Sequence, residues 1–274
     1  MRDALIDNAR NYAKTQKVGS AHVYRSRGKI PVTLFREHDH KGVRRHYNFS
    51  PESYGAILAN DDWRRRLLKP HNGKRWLAGE DQPSALELDS CCSSDALLMN
   101  ILCHPSAQTN FAIQQSFQLN ESPQIIFGYK PHLPFHRGGQ ESRSSEIDLM
   151  LKTAHRTVLC EAKLTEKNFT SKEKAKVERY KDLKAVFDVS KLPQTDRSFL
   201  HYQLIRNFLA AFHLRADFAL ICDERRQDLK NAFVAVRAAT LPAVNLRSNI
   251  VTWQQIAARL PAKLQGFLRA KYGI

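Results

Sequence analysis

Apolar residues change their spacing from segment to segment along the second half of the chain, and these changes predict alternating strands and helices. QIIFGYK (residues 124–130) and DFALICD (217–223) are compact apolar runs typical of strands. SFLHYQLIRNFLAAFHL (198–214) is apolar around most of a helical circumference, which predicts a buried helix. A further strand is expected near 244–253, followed by helices. This alternation predicts an α/β fold with helices on the faces of a sheet.

The other elements follow from helical spacing and from residues that begin or end helices. SKEKAKVERYKDLKAVF (171–187) places apolar residues on one helical face with lysines over the rest, which predicts a helix. Before the sheet we expect a helix over 3–15, extended segments over 22–49 and a helix that begins after Ser50. A helix is also predicted over the second half of 86–105, and it ends before Pro105 because the residue before a proline disfavours helix.

The stretch SEIDLMLKTAHRTVLCEAKL (145–164) contains two aliphatic runs on either side of a short polar segment, and therefore predicts a β-hairpin. Side chains alternate across a strand, so Asp148 shares a face with Met150 in the first run. Glu161 and Lys163 share a face in the second run. If the apolar positions of both runs face one core, the three charged side chains converge on the other surface.

Two carboxylates and an ammonium group at one place suit the hydrolysis of phosphodiesters. Carboxylate oxygens are hard ligands for Mg²⁺ or Mn²⁺, which usually keep water and accept phosphate as a further ligand. Such an ion lowers the pKa of a bound water, and a nearby lysine could orient that water or stabilise charge on the phosphate. The alternative is a cross-strand salt bridge on a solvated sheet face.

The net charge favours a polyanionic partner. The chain has 274 residues with 43 Lys and Arg against 27 Asp and Glu, a formal charge of +16. Half of this excess lies between Arg25 and Arg75, where aromatic residues alternate with basic clusters that include Arg64 and Arg65. Aromatic and arginine side chains together can stack on bases and hold phosphates. A solvated basic surface anchored by its aromatic residues is an equal alternative.

Several classes of protein are disfavoured. A run of about 18 apolar residues, a signal peptide and an amphipathic membrane helix are all lacking from the sequence, so we expect no membrane partner and a cytoplasmic location. Five cysteines without framework spacing make disulfides improbable. No zinc-finger spacing, phosphate loop or nucleophile elbow occurs.

The order of these motifs resembles the PD-(D/E)xK nuclease superfamily. Asp148 is followed 13 residues later by Glu161-Ala162-Lys163, in two successive predicted strands, and the pattern extends over about residues 84–260. The segments CSSDALLMN, EIDLML, VLCEAKLTE, HYQLIRNFLAA and VTWQQIA further resemble a bacterial group of restriction endonuclease-related proteins in that superfamily. The proline that often precedes the first aspartate is replaced by Ile147.

This resemblance implies a restriction-endonuclease-like core with a mixed central sheet flanked by helices, over residues 84–274, after a basic N-terminal extension over residues 1–83. It implies Asp148 and Glu161 as ligands of Mg²⁺ (or Mn²⁺) and Lys163 as the catalytic lysine. Many members add a helical acidic ligand, for which Glu87 is preferred over Asp95. For either acid, a surface or capping role is an equal alternative.

The resemblance also implies supporting residues on the helix predicted over 198–214. Gln203 is expected to support the site, as a glutamine on this helix does in related nucleases. Arg206 lies on nearly the same face and could meet a phosphate or a carboxylate. Glu146 is an auxiliary ligand or a salt-bridge partner. Lys167 lies either near the nucleic-acid backbone or on a solvated face.

The function expected from these features is metal-dependent hydrolysis of nucleic acid, with DNA as the substrate. A nucleic-acid-binding protein that retains the fold without hydrolysis is the alternative, and the intact motif argues against it. An enzyme for small phosphorylated substrates is less compatible with the charge of +16. A homodimer is a further expectation, because many enzymes that cut both strands act as dimers.

Overall fold

The chain folds into two compact units. The computed structural model describes residues 1–16, 22–24, 32–70, 86–140, 145–244 and 246–274. Residues 1–113 and 254–274 form the first unit, and residues 114–253 form the second. The boundary expected between residues 83 and 84 lies outside the described residues.

The helices and strands are as follows. Helices are α1 (Arg2–Thr15), α2 (Pro51–Ala59), α3 (Asp61–Arg66), α4 (Ser94–Leu102), α5 (Pro105–Gln108), α6 (Phe111–Ser116), α7 (Lys174–Val177), α8 (Leu183–Val186), α9 (Tyr202–His213), α10 (Gln227–Ala238), α11 (Trp253–Ala257) and α12 (Ala262–Tyr272), with short 3₁₀ helices at Glu87–Asp89 and Val189–Lys191. Strands are β1 (His22–Tyr24), β2 (Val32–Leu34), β3 (Glu37–His40), β4 (Val43–His46), β5 (Gln124–Tyr129), β6 (Ile147–Lys152), β7 (Thr157–Ala162), β8 (Ser171–Glu173), β9 (Ser198–Leu200), β10 (Asp217–Cys222) and β11 (Ser248–Thr252). None of the described helices is long and apolar enough to cross a membrane.

Local sequence signals explain the elements of the first unit. Helix α2 begins after Ser50, whose hydroxyl accepts from the backbone N–H of Ser53 at 3.3 Å, with Pro51 at the first helical position. Strands β3 and β4 form a hairpin whose two-residue turn is Lys41–Gly42. Both turn residues have positive φ, +54° and +76°, which matches the twist of a tight hairpin.

The first unit joins the beginning and the end of the chain. Helices α1 and α12 pack together, and the ring centroids of Tyr12 and Phe267 lie 5.6 Å apart in an edge-on arrangement. Lys271 on α12 is fully buried, and its Nζ donates to the backbone oxygen of Asn48 at 3.1 Å. Burial holds the pKa of Lys271 well below its usual range. The last helix is therefore an internal part of this unit.

The second unit is built on a mixed five-stranded sheet in the order β11-β10-β7-β6-β5. Strands β5, β6 and β7 are antiparallel neighbours, whereas β7, β10 and β11 run parallel. Helix α9 packs on β7 and β10 through a buried aromatic cluster that surrounds Phe208. The predicted α/β class, with a mixed central sheet flanked by helices, is confirmed.

The helix predicted over 171–187 is wrong. Residues 171–173 form β8, which pairs with β9, and only the short helices α7 and α8 follow. Tyr180 makes an isolated bridge with Phe135 instead of continuing a helix. The apolar residues that suggested the helix are nevertheless all buried: Val177, Tyr180, Leu183 and Phe187. Pairing with distant segments overrides the local helical preference of the lysine-rich sequence.

Truncation of Phe208 tests the core of the second unit. Its ring lies 5.1 Å from that of Phe218 and 5.7 Å from that of Phe233, measured between centroids, and is fully buried. We expect Phe208→Ala to lower the free energy of unfolding by about 3–5 kcal/mol, because a cavity replaces these contacts. Urea denaturation followed by circular dichroism measures the change. Val234→Ala is the control, since that side chain is 56% exposed, and its effect should stay within about 0.5 kcal/mol. Equal losses in both variants would contradict this description of the core.

Candidate active site

The β6–β7 hairpin brings Asp148 and Glu161 to facing positions. The antiparallel register pairs Leu149 with Cys160, so the next pair along the hairpin is Asp148 with Glu161. Facing residues in an antiparallel pair point to one side, with Cβ atoms about 4.5–5.5 Å apart. The Oδ2 atom of Asp148 accepts from the backbone N–H of Ala162 at 2.8 Å. The hairpin and the convergence predicted for these two carboxylates are therefore present.

Lys163 follows β7 directly and is fixed by its own backbone. Its N–H donates to the oxygen of Ile221 on β10 at 2.8 Å, and its carbonyl accepts from the Trp253 indole at 2.9 Å. The ammonium Nζ lies 2.7 Å from Oε1 of Glu161. The other oxygen of Glu161, Oε2, accepts from Nδ2 of Asn207 at 2.8 Å. A cation and an amide thus hold the two oxygens of this carboxylate.

The charged groups of Glu161 and Lys163 are buried, so the alternative of a salt bridge on a solvated sheet face does not describe them. Glu161 is 3% exposed and Lys163 is 6% exposed. The face that carries Glu161 also carries Met150 and Leu159, both of which belong to the core that α9 covers. Buried charges persist only when they are paired, and the Glu161–Lys163 ion pair meets this requirement.

The electrostatic environment keeps the lysine charged. Burial alone would lower the pKa of Lys163, but the carboxylates of Glu161, Asp148 and Glu166 outweigh it and hold the pKa well above its usual range. Glu166 is fixed nearby, since its Oε2 accepts from the Leu164 N–H at 2.7 Å. Lys163 is therefore protonated at neutral pH.

The side-chain amide that contacts Glu161 belongs to Asn207 on helix α9. The predicted supporting residue Gln203 lies one turn earlier, half-buried, and its backbone N–H donates to the Phe169 oxygen at 3.0 Å. Sequence reasoning missed Asn207, although it is four residues from Gln203 in a mostly apolar segment, which marks it as a candidate. It also missed Glu166, which lies three residues beyond Lys163.

The predicted contact of Arg206 with a phosphate does not agree with its position. Arg206 is 1% exposed, and its Nη2 donates to the backbone oxygen of Pro131 at 3.1 Å. Its guanidinium instead ties α9 to the segment that follows β5. Lys167, by contrast, is exposed four residues after Lys163, as a contact with nucleic acid would require.

The two candidates for a third acidic ligand, Glu87 and Asp95, both lie in the first unit. Asp95, in the first turn of α4, is buried, and its Oδ2 accepts from Arg66 at 2.8 Å and from Lys69 at 2.7 Å. Glu87 begins the 3₁₀ helix Glu87–Asp89. Because its carboxylate pairs with Arg66 and Lys69, Asp95 has a structural role in the first unit. The role of Glu87 stays a prediction.

The pair Arg64 and Arg65 is exposed on α3. Arg64 lies 2.7 Å from the carboxylate of Asp61, and Arg65 pairs with Asp62, in each case three residues earlier on the same helix. Exposed ion pairs of this kind contribute little to stability, so the two arginines can exchange their carboxylate partners for another anion at little cost in free energy.

The hairpin offers two carboxylates as ligands for the implied divalent cation. Within the described part of the chain, no group of three or more His, Cys, Asp or Glu side chains is arranged to hold a metal ion. Mg²⁺, however, commonly uses only one or two protein carboxylates and completes its shell with water and phosphate. Asp148 and Glu161, as facing hard oxygen donors, fit that mode of binding. The substrate and water would then supply the remaining ligands.

The mixed sheet and its facing acidic residues define a restriction-endonuclease-like protein. The family described as restriction endonuclease associating with ARP matches residues 25–273, and the chain belongs to this family. The membership confirms the restriction-endonuclease-like family that the motif order predicted. No curated protein and no solved structure matches the chain.

Removal of one partner of the buried ion pair should be far more costly than removal of both. Lys163→Met leaves the Glu161 carboxylate buried without its cation, and we expect a loss of about 3–5 kcal/mol in the free energy of unfolding. The double variant Glu161→Gln/Lys163→Met carries no buried charge and should recover at least half of that loss. Urea denaturation of the two variants measures this difference.

A matched control is available on the surface. Lys176 pairs with Glu173 at 3.0 Å, but both side chains are exposed. Lys176→Met should therefore change the free energy of unfolding by less than about 1 kcal/mol. If the single and double variants at the buried pair were equally unstable, the ion pair would not be the source of the cost.

Proposed function

We propose that the protein is a Mg²⁺-dependent nuclease that hydrolyses phosphodiester bonds, with DNA as its substrate. The observation that carries this proposal is the facing pair Asp148 and Glu161, with Lys163 held against Glu161 at 2.7 Å. Membership of a restriction endonuclease family supports it, since enzymes of that kind act on nucleic acid.

Asp148 and Glu161 would hold the cation. A bound Mg²⁺ or Mn²⁺ would neutralise charge on the scissile phosphate and make a water a better nucleophile. During hydrolysis the oxygen of water would form a bond to phosphorus as the bond from phosphorus to the leaving oxygen breaks. The proton that the water loses would pass to solvent, and the leaving oxygen would take up a proton from solvent. Lys163 remains protonated and stabilises the negative charge that develops on the phosphate oxygens.

The Glu161–Lys163 ion pair corresponds to the state before substrate binds. When a phosphate enters, the Lys163 ammonium would exchange its ion pair with Glu161 for one with the phosphate. Oε1 of Glu161 would then be available to hold the cation. Asn207 continues to hold Oε2 and keeps the carboxylate in orientation during this exchange. Asn207 is thus a positioning residue. Gln203, one turn earlier, is proposed to support the same side of the site.

The excess of positive charge supports a polyanionic substrate. A formal charge of +16 speeds the encounter with nucleic acid, and each phosphate contact releases counterions. Arg64, Arg65 and Lys167 are exposed and are the proposed contacts to the backbone. Binding should therefore weaken steeply as salt is raised.

A second candidate is a nucleic-acid-binding protein that does not hydrolyse its partner. The burial of Glu161, with its two oxygens already bonded to Lys163 and Asn207, favours this alternative. In that case the ion pair would serve only the stability of the sheet. Cleavage assays separate the two candidates.

Replacement of the half-buried Asp148 tests the proposed function. Asp148→Asn retains an oxygen that can accept from the Ala162 N–H, so the fold should be preserved. We expect cleavage of linear and circular duplex DNA in Mg²⁺ to fall at least about 100-fold, because even residues that only orient metal ligands contribute 10–100-fold. Electron paramagnetic resonance of added Mn²⁺ should show weakened binding in the same variant.

Lys176→Met is the control and should cleave like the wild type. A wild-type protein that binds DNA and single strands without cutting either would favour the binding-only candidate.

Loss of the positioning amide should have a smaller effect. We expect Asn207→Ala to reduce the cleavage rate by about 10–100-fold through misorientation of Glu161. Asn231→Ala on α10, where the side chain is exposed, should leave the rate unchanged. Asn207→Asp would place a second carboxylate beside Glu161 and should reduce activity further. An Asn207→Ala variant with normal rate and normal Mn²⁺ affinity would remove Asn207 from the site.

A further inference from the structure

A cavity of about 660 Å³ lies within the first unit, away from the carboxylate hairpin in the sequence. It is bounded by the β3–β4 hairpin, helices α2 and α3, and the segment from Leu86 to Asp89. Its volume is within the range of about 300–1,000 Å³ that is usual for sites of small molecules. The proposed nuclease chemistry does not use it.

One wall of the cavity is apolar. It consists of leucine side chains from α2, from the end of α3 and from the segment before the 3₁₀ helix: Leu58, Leu67, Leu68 and Leu86. Leu68 is 70% exposed, although it is a large aliphatic residue. A wall of this kind suits the face of a planar ring, because burial of the leucines against the ring removes apolar surface from water.

The rim of the cavity is cationic. Arg36, Arg44, Arg64 and Arg65 all line it, against the two carboxylates of Glu37 and Asp89. Guanidinium groups bind phosphate through paired hydrogen bonds and also stack on bases. The surplus of cations in the lining therefore favours a ligand that carries phosphate.

The polar groups at the floor are already fixed by hydrogen bonds. Nδ1 of His46 accepts from the Asn48 N–H at 3.2 Å, so the ring proton lies on Nε2, which donates to Asp89 at 3.2 Å. The Tyr54 hydroxyl donates to Glu37. Both carboxylates of the lining thus have partners within the protein, and Glu37 also pairs with Arg44 at 3.6 Å. The exposed Arg64 and Arg65 therefore determine most of the charge that a ligand meets.

We propose that this cavity binds one nucleotide, with the base against the leucine wall and the phosphate on the arginine rim. A second cavity of about 780 Å³ shares Arg44, His46, Tyr54 and Leu58 with the first and is lined by further aromatic rings, including Tyr47. A strand that places one nucleotide in the first cavity would have an aromatic surface for its neighbour. The inference rests on the proposed function only for the source of the nucleotide, namely an unpaired position of the substrate strand.

The test measures binding separately from cleavage. The full chain carrying Asp148→Asn is titrated with AMP, adenosine and inorganic phosphate by isothermal titration calorimetry. We expect AMP to bind at least about 10-fold more tightly than either fragment, because base and phosphate have separate subsites. Adding Arg64→Glu/Arg65→Glu should weaken AMP binding at least about 10-fold. Arg269→Glu, an exposed arginine of the same unit outside both cavities, should leave it unchanged.

Two DNA ligands distinguish the sources of the nucleotide. If a duplex with one unpaired adenosine binds more tightly than its fully paired counterpart, and Arg64→Glu/Arg65→Glu removes the difference, the nucleotide comes from the strand. If AMP binds while both duplexes bind equally, the site takes a free nucleotide. Either result supports a nucleotide site. AMP binding together with a wild-type protein that does not cleave DNA would reject the nuclease while retaining this inference. AMP that fails to bind, that binds no better than phosphate, or that binds equally to the arginine variant would overturn it, even for a protein that cleaves DNA.

Discussion

The negative charge of Glu161 is buried, and the surrounding elements are arranged so that it is compensated. The ammonium group of Lys163 contacts one oxygen and the amide of Asn207 contacts the other. An isolated carboxylate at 3% exposure would cost several kcal/mol or would take up a proton. These two partners offset the cost of burying the carboxylate, and a low local dielectric strengthens its effect on any cation that approaches.

The mixed sheet brings these partners together from elements that are far apart in the sequence. The antiparallel neighbour β6 places Asp148 opposite Glu161, whereas the parallel neighbour β10 fixes the backbone of Lys163 through Ile221. Helix α9, packed over the same face, adds Asn207. Neither a purely antiparallel hairpin nor a parallel pair alone would bring all four groups together. Strand β7 in the middle of the sheet is therefore the element on which the candidate site depends.

Sequence reasoning was most successful where a short-range rule decides the structure. Alternation along a strand is such a rule, and it correctly placed Asp148 and Glu161 on one face of a hairpin. It could not show that this face is buried, because burial depends on α9, which lies 40 residues further along the chain. The same limit explains residues 171–187, where the pairing of β8 with β9 replaced a helix that the local pattern favoured. Asn207 was missed because its role comes from a contact with Glu161, 46 residues away in sequence.

The buried position of Lys271 has a consequence for the order in which the chain folds during synthesis. Residues 114–253 form a continuous unit, so this unit can be completed as soon as residue 253 has left the ribosome. The first unit, in contrast, must wait for α12, because Lys271 and Phe267 fill its interior against residues from the first 50 positions. Folding thus departs from the usual order in which N-terminal parts fold first. A nascent chain would acquire its carboxylate hairpin before the arginine-lined unit has formed, because the basic surface of that unit cannot be completed until α12 has been synthesised.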